Sequence, residues 1–123
     1  MNNSSCPFCT IEEKVLENDL AFAIFDKYPV NKGHLLIIPK RHVSDFFDTI
    51  FEEREAFNEL LEKGKSLLDE QYSPEGYNVG INCGETAGQT IFHVHVHLIP
   101  RYEGDMENPA GGVRGVIPQK QKY

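Results

Sequence analysis

The chain has no tryptophan, an odd number of cysteines, fewer basic than acidic side chains and no long apolar run, and the last three shortfalls each argue against a class of protein. Twelve Lys and Arg face 19 Asp and Glu, giving a net charge of -7. A sequence-independent nucleic-acid binder or an anionic-membrane binder normally carries a basic face, so neither partner is expected. An anionic ligand would need a locally arranged site. No apolar run approaches the roughly 20 residues of a spanning helix, and Met1–Cys6 lacks the basic and apolar regions of a secretory signal. A soluble, cytoplasmic protein is the expectation. Three cysteines suit thiols or metal ligands in a reducing compartment better than a disulfide framework. With Trp absent, eight Phe carry much of the aromatic packing. No linker-like composition divides the 123 residues, so one domain, 1–123, is expected.

What the chain does have is Ile91-Phe92-His93-Val94-His95-Val96-His97-Leu98-Ile99-Pro100-Arg101, where three of five histidines alternate with apolar residues. A period of two predicts a strand with Val94, Val96 and Leu98 on one face and His93, His95 and His97 on the other. Their Cα atoms would stand about 6.6 Å apart. Pro100 is expected to end the ladder for want of an N–H. Such a face can chelate a metal, with a water completing a hydrolytic centre. It can also supply an imidazole nucleophile to a phosphoryl or carbonyl centre. A purely structural role is a costly use of three buried polar groups.

Other segments frame that face. Cys6-Pro7-Phe8-Cys9 has too little chain before it for the strand of a thioredoxin-type redox pair, which leaves a structural zinc or an inert thiol pair. Val15–Asp26 reads as a hairpin turning at Asn18-Asp19, with Leu20–Phe25 buried on both faces. Asp26 either caps the following turn or faces a ligand. Tyr28–Gly33 is a loop and His34–Pro39 the next, antiparallel strand. Lys40-Arg41-His42 is a basic cluster at its end. Thr49 and Glu52 fit a capping box ahead of a helix whose stripe of Ala56, Phe57, Leu60, Leu61, Gly64, Leu67 and Leu68 is core. Ser73–Gly76 breaks it, and Tyr77–Asn82 is another strand. Cys83–Thr90 is a glycine-containing loop able to present N–H groups to a phosphate. Residues 102–123 predict an extended, partly ordered arm whose Gly111–Pro118 portion docks on something.

His93-Val94-His95-Val96-His97-Leu98-Ile99 resembles the His-φ-His-φ-His-φ-φ signature of the histidine triad (HIT) superfamily of nucleotide hydrolases and transferases. Phe25–His42 is similar to that family's amino-terminal block, and Asn82 with Gly88-Gln89-Thr90 to its phosphate loop. The resemblance implies an α+β fold: an antiparallel sheet of about five strands, one long helix and a short helical segment, completed as a two-fold homodimer with Phe57–Leu68 as contact candidates. It implies a purine-nucleotide conjugate as substrate, a dinucleoside polyphosphate or a phosphoramidate. His95 would attack the α-phosphorus to form a nucleotidyl-histidine, later hydrolysed, with His97 on the phosphate oxygens. Phe25, Asp26, Asn82, Gly88, Gln89, Thr90 and His97 would contact the nucleotide, Asp26 through the ribose. Cys6, Cys9, His42 and His93 stand where zinc-containing branches hold a structural metal, so that residues 1–14 form a zinc-binding segment. His34 is left as a structural residue. Arg101–Asp105 and Gly111–Arg114 resemble the microbial diadenosine-polyphosphate hydrolase-like branch. The alternative is a nucleotide-binding regulatory or adaptor protein with negligible turnover.

Overall fold

A computed structural model describes residues 5–123; the first four residues of the expected zinc-binding segment lie outside the described ones. Five strands form one antiparallel sheet in the order β1-β2-β3-β5-β4, with β1 Leu16–Glu17, β2 Ala21–Phe25, β3 Leu35–Pro39, β4 Gly76–Ile81 and β5 Val96–Arg101. One long helix, α1 (Phe51–Tyr72), covers a single face. Among the described residues no helix is long and apolar enough to cross a membrane.

The first hairpin turns where expected. Asn18 Oδ1 accepts from the Leu20 and Ala21 N–H groups, an Asx turn that needs the short polar side chain. Burial on both faces holds for Ala21, Phe22 and Ala23 but fades toward Phe25, which is 41% exposed. Side chains paired across antiparallel strands share a face. Ala21, Ala23, Ile37 and Val96 therefore meet Phe57 and Leu60 of α1, while Phe22, Leu36 and Ile38 meet Cys6 and Phe8 of the amino-terminal segment on the other.

Helix α1 approaches the sheet closely at Gly64, where an added Cβ would lie 3.1 Å from side-chain carbons of both Leu35 and Leu98. The helix begins one residue later than the expected capping box. The Thr49 hydroxyl donates to the Phe46 carbonyl. It is Glu53 that accepts the Ile50 N–H while clasping Arg41 through two hydrogen bonds of 2.9 and 3.0 Å. That clasp ties the end of β3 to the start of α1. Ser73 closes the helix in the left-handed region (φ 51), its N–H turned back on Leu68 and Asp69. Phe57, Leu60, Gly64 and Leu68 are buried against their own sheet, so they are not available as dimer contacts.

Two expectations change. The 102–123 segment is not extended: it coils into 3-10 turns at Gly112–Val116 and Pro118–Lys120, with Gln121 Nε2 donating to the Ala110 carbonyl. Pro100 does not end β5. It pairs with Tyr77, and its carbonyl takes the Asn31 side-chain N–H on the edge beyond the reach of β3. On that edge the missing N–H loses no ladder bond.

Candidate active site and metal cluster

The histidine run is less regular than its alternation suggests. Only His97 lies within β5; His93 and His95 precede it on a bent segment pinned by the Val94 N–H to the Val43 carbonyl, 2.9 Å. Val94, Val96 and Leu98 still point into the core and the three imidazoles to the other side. The bend lets each ring meet a different partner.

His93 is fully buried, and its Nε2–H donates to the Pro39 carbonyl at 2.7 Å. A neutral imidazole with its proton committed to Nε2 has an unprotonated Nδ1. That atom lies 3.1 Å from His42 Nδ1, 3.4 Å from Cys6 Sγ and 3.5 Å from Cys9 Sγ; Cys9 Sγ is also 3.2 Å from His42 Nδ1. The four ligand atoms all lie within 4.8 Å of one another. Zinc bonds of about 2.3 Å to sulfur and 2.0–2.1 Å to nitrogen place tetrahedral ligand atoms roughly 3.4–3.8 Å apart, so this donor set fits one such ion. Burial lowers the His93 pKa, opposed by the Pro39 bond, and raises the Cys6 pKa. A metal would therefore bind a ready imidazole and displace thiol protons.

His95 stands beside this cluster, with Phe8 packed edge-on against it (ring centroids 5.1 Å) and against His93 (6.0 Å). Its Nδ1 lies 3.1 Å from the His93 carbonyl, which can only accept, so Nδ1 carries the proton and Nε2 keeps a free lone pair. A backbone carbonyl thus fixes the tautomer that a nucleophile needs.

His97 is set by His34, expected from the sequence only as a structural residue. The Val30 N–H donates to His34 Nδ1 at 3.0 Å. Neutral His34 must then carry its proton on Nε2, 2.9 Å from His97 Nδ1. That makes His97 Nδ1 an acceptor and leaves an Nε2–H directed away from His34. Asp26 Oδ2 lies 3.5 Å from His34 Nε2. Burial, and then the neighbouring His95 and His34, push the His97 pKa down to about 4, with Asp26 opposing; burial likewise lowers that of His34. Both rings are neutral at neutral pH. No local pattern points to this pairing, which spans 63 positions.

A cavity of ≈ 560 Å³ opens over His95 and His97, bounded by Phe8, Ile24, Asp26, Asn82, Gly88 and Thr90 among others. Asp26 keeps both of its expected roles within reach: Oδ1 accepts the Tyr28 N–H at 2.8 Å while Oδ2 faces His34. Phe25 also lines the cavity, from the end of β2. It is Ile24, paired with Leu36, that shares the histidine face. Gly88 adopts φ 97, which favours glycine, and lies near the Asn82 amide. Gln89 departs from expectation. It is 2% exposed; its Nε2 donates to the Ser44 and Ile91 carbonyls and its Oε1 accepts the Gly84 N–H. Its polar atoms brace the loop from inside.

Comparison with known proteins follows the same lines. A family model described as HIT domain matches residues 10–104. An uncharacterized 16.1 kDa HIT-like protein of Mycoplasma pneumoniae is 40% identical over 109 residues, 84% of this chain and 76% of that protein. An AP-4-A phosphorylase of Mycobacterium tuberculosis is 36% identical over 108 residues, 85% of this chain and 55% of the longer relative. Among solved structures, a Zn-bound histidine triad family protein from Mycobacterium smegmatis matches with a TM-score of 0.77 at 32% identity, over 85% of this chain and 81% of that one.

Proposed function

The chain belongs to the HIT domain family, and from that premise we propose that it cleaves a purine-nucleotide conjugate at the α-phosphate, with His95 as nucleophile. The observation that carries the reading is the pair of opposite tautomers: His95 held with a bare Nε2 by the His93 carbonyl, and His97 held with an Nε2–H by His34. One ring can attack and its neighbour, 5.2 Å away between centroids, can donate.

In the first step His95 Nε2 forms a bond to the α-phosphorus as the bond to the leaving group breaks, a polyphosphate oxygen leaving as the anion or a phosphoramidate nitrogen leaving as the amine with a proton from solvent. The His97 Nε2–H donates to a phosphoryl oxygen where negative charge gathers. In the second step water adds to phosphorus, the P–N bond breaks and its electron pair returns to Nε2. The nucleoside monophosphate leaves, and the water proton passes to solvent. Thr90, Asn82 and the main chain at Gly88 bound the phosphate region, and Asp26 Oδ2 serves the ribose. Neutral donors aimed at the phosphoryl oxygens let a chain of charge -7 hold an anion.

The AP-4-A phosphorylase relative supports a dinucleoside polyphosphate as the substrate class. We assign zinc to Cys6, Cys9, His42 and His93, a structural role that fastens the amino-terminal segment beside the nucleophile. The metal takes no part in the displacement. We further propose a homodimer, which the unpaired outer edge of β4 leaves room for.

Diadenosine tetraphosphate and adenosine 5′-phosphoramidate, each incubated with and without inorganic phosphate and followed by AMP and ADP release, test the reaction. His95→Ala is expected to lose at least about 10³-fold in kcat/KM. Full activity in that variant would falsify the assignment of the nucleophile. Tight AMP binding without turnover of either compound would favour a regulatory nucleotide-binding protein instead.

A further inference from the structure

A second cavity, of ≈ 520 Å³, lies on the far side of His97, between β4–β5 and the carboxy-terminal turns. His97 and Asn82 line both cavities; His95 lines only the first. An in-line displacement puts the leaving oxygen on the side of phosphorus away from the nucleophile. The second cavity adjoins the first at His97 and Asn82 without touching His95, a position open to such a leaving group.

Its floor contains an unexplained glycine. In the β4–β5 register Gly80 pairs with His97 and Asn78 with Ile99, so all four occupy the histidine face. Gly80 has no positive φ, and a Cβ built on it meets nothing within 4 Å. Neither backbone conformation nor crowding calls for glycine there, and glycine inside a strand is less stable than alanine. What its missing side chain does provide is open space beside the phosphate-contacting histidine.

The walls suit a flat, edge-polar guest. Met106, Val113 and Val116 are 44%, 61% and 80% exposed, and they border the same cavity as Ile99. Asn78 Oδ1 is held by Arg101 Nη1 at 2.7 Å, and Gln121 Nε2 by the Ala110 carbonyl at 3.1 Å. Each amide therefore presents its other atom: a donor from Asn78 and an acceptor from Gln121. Apolar faces with a donor-acceptor edge are the features of a nucleobase.

We propose that this cavity is a leaving-group subsite that takes the second nucleoside of a dinucleoside polyphosphate, whose phosphate chain crosses from one cavity to the other past His97 and Asn82. The inference rests on the catalytic reading above and narrows it to substrates with a nucleoside at both ends.

Filling the floor tests it. Valine is favoured in strands over glycine, so Gly80→Val should not lower the melting temperature. It should reduce kcat/KM for diadenosine tetraphosphate at least tenfold, chiefly through KM, and leave adenosine 5′-phosphoramidate within about twofold. Val116→Asp, on the opposite wall, should show the same selectivity more weakly. Equal losses on both substrates, or an undiminished rate on the dinucleotide, overturn the subsite. If the unaltered protein turns over neither compound, the catalytic reading fails on its own. Calorimetry then decides the subsite: tighter binding of a methylene-bridged diadenosine tetraphosphate analogue than of AMP, lost in Gly80→Val, supports it, and equal affinities refute it.

Discussion

Four of the five histidines have a tautomer dictated by a fixed neighbour, and that is where chemistry is decided at the scale of single residues. A carbonyl forces a proton onto His93 Nε2 and another onto His95 Nδ1, while an amide N–H forbids one on His34 Nδ1 and so fixes His97 through it. In the proposed reaction His34 is a positioning residue, acting on substrate only through His97. Glutamine can reproduce its Nε2–H, whereas leucine removes donor and acceptor together. His34→Leu is therefore expected to lose about 10² in kcat, the size of one lost oriented donor, while His34→Gln recovers most of it. Steady-state kinetics on both variants, beside their melting temperatures, separate this from a fold defect. If Gln and Leu lose activity equally while both stay folded, the relay is wrong. The alternation of the triad was legible in the sequence. The four separate partners were not, because they come from β3, from loops and from the chain's own carbonyls.

At the scale of elements, helix α1 and the amino-terminal segment are the two covers of one sheet. The helix was legible, because Phe57, Leu60, Gly64 and Leu68 recur at helical spacing and are the buried stripe. Its start was displaced because the Thr49 hydroxyl is engaged by Phe46 and the buried Glu53 does the capping. Gly64 sets how near the helix lies to β3 and β5. Gly64→Val would drive methyl groups into Leu35 and Leu98, already 3.1 Å from a bare Cβ, and overpacking of this kind typically costs 1–3 kcal/mol. Urea unfolding should show a lower midpoint at unchanged slope. A midpoint equal to that of the unaltered protein would mean that the helix backs away freely and does not hold the sheet. The carboxy-terminal turns differ from the extended arm that residues 102–123 predict because their order comes from Ala110–Gln121 and from packing on β4, which leave no periodic trace.

For the molecule as a whole, the Cys/His cluster joins three stretches distant in the chain: Cys6 and Cys9 near the start, His42 after β3, His93 before β5. Binding there is folding free energy for the cover over the histidine face. Treatment with a strong chelator should lower the melting temperature before turnover is lost at a temperature where the protein stays folded, and added zinc should restore it. Immediate loss of turnover at full stability would place the metal in the reaction instead. Cys9→Ser should imitate the chelated protein.

The sequence by itself determined the order and type of the elements, since hydrophobic period and turn residues are local properties, and it held the residues of the triad and the metal cluster in recognisable motifs. Only the tertiary structure decided which ring nitrogen of each histidine carries the proton. It committed Gln89 to the inside of its loop, brought His34 to His97 across 63 positions and opened a second cavity beside Gly80. Proton placement and empty space depend on which distant groups pack together, and no local pattern encodes that.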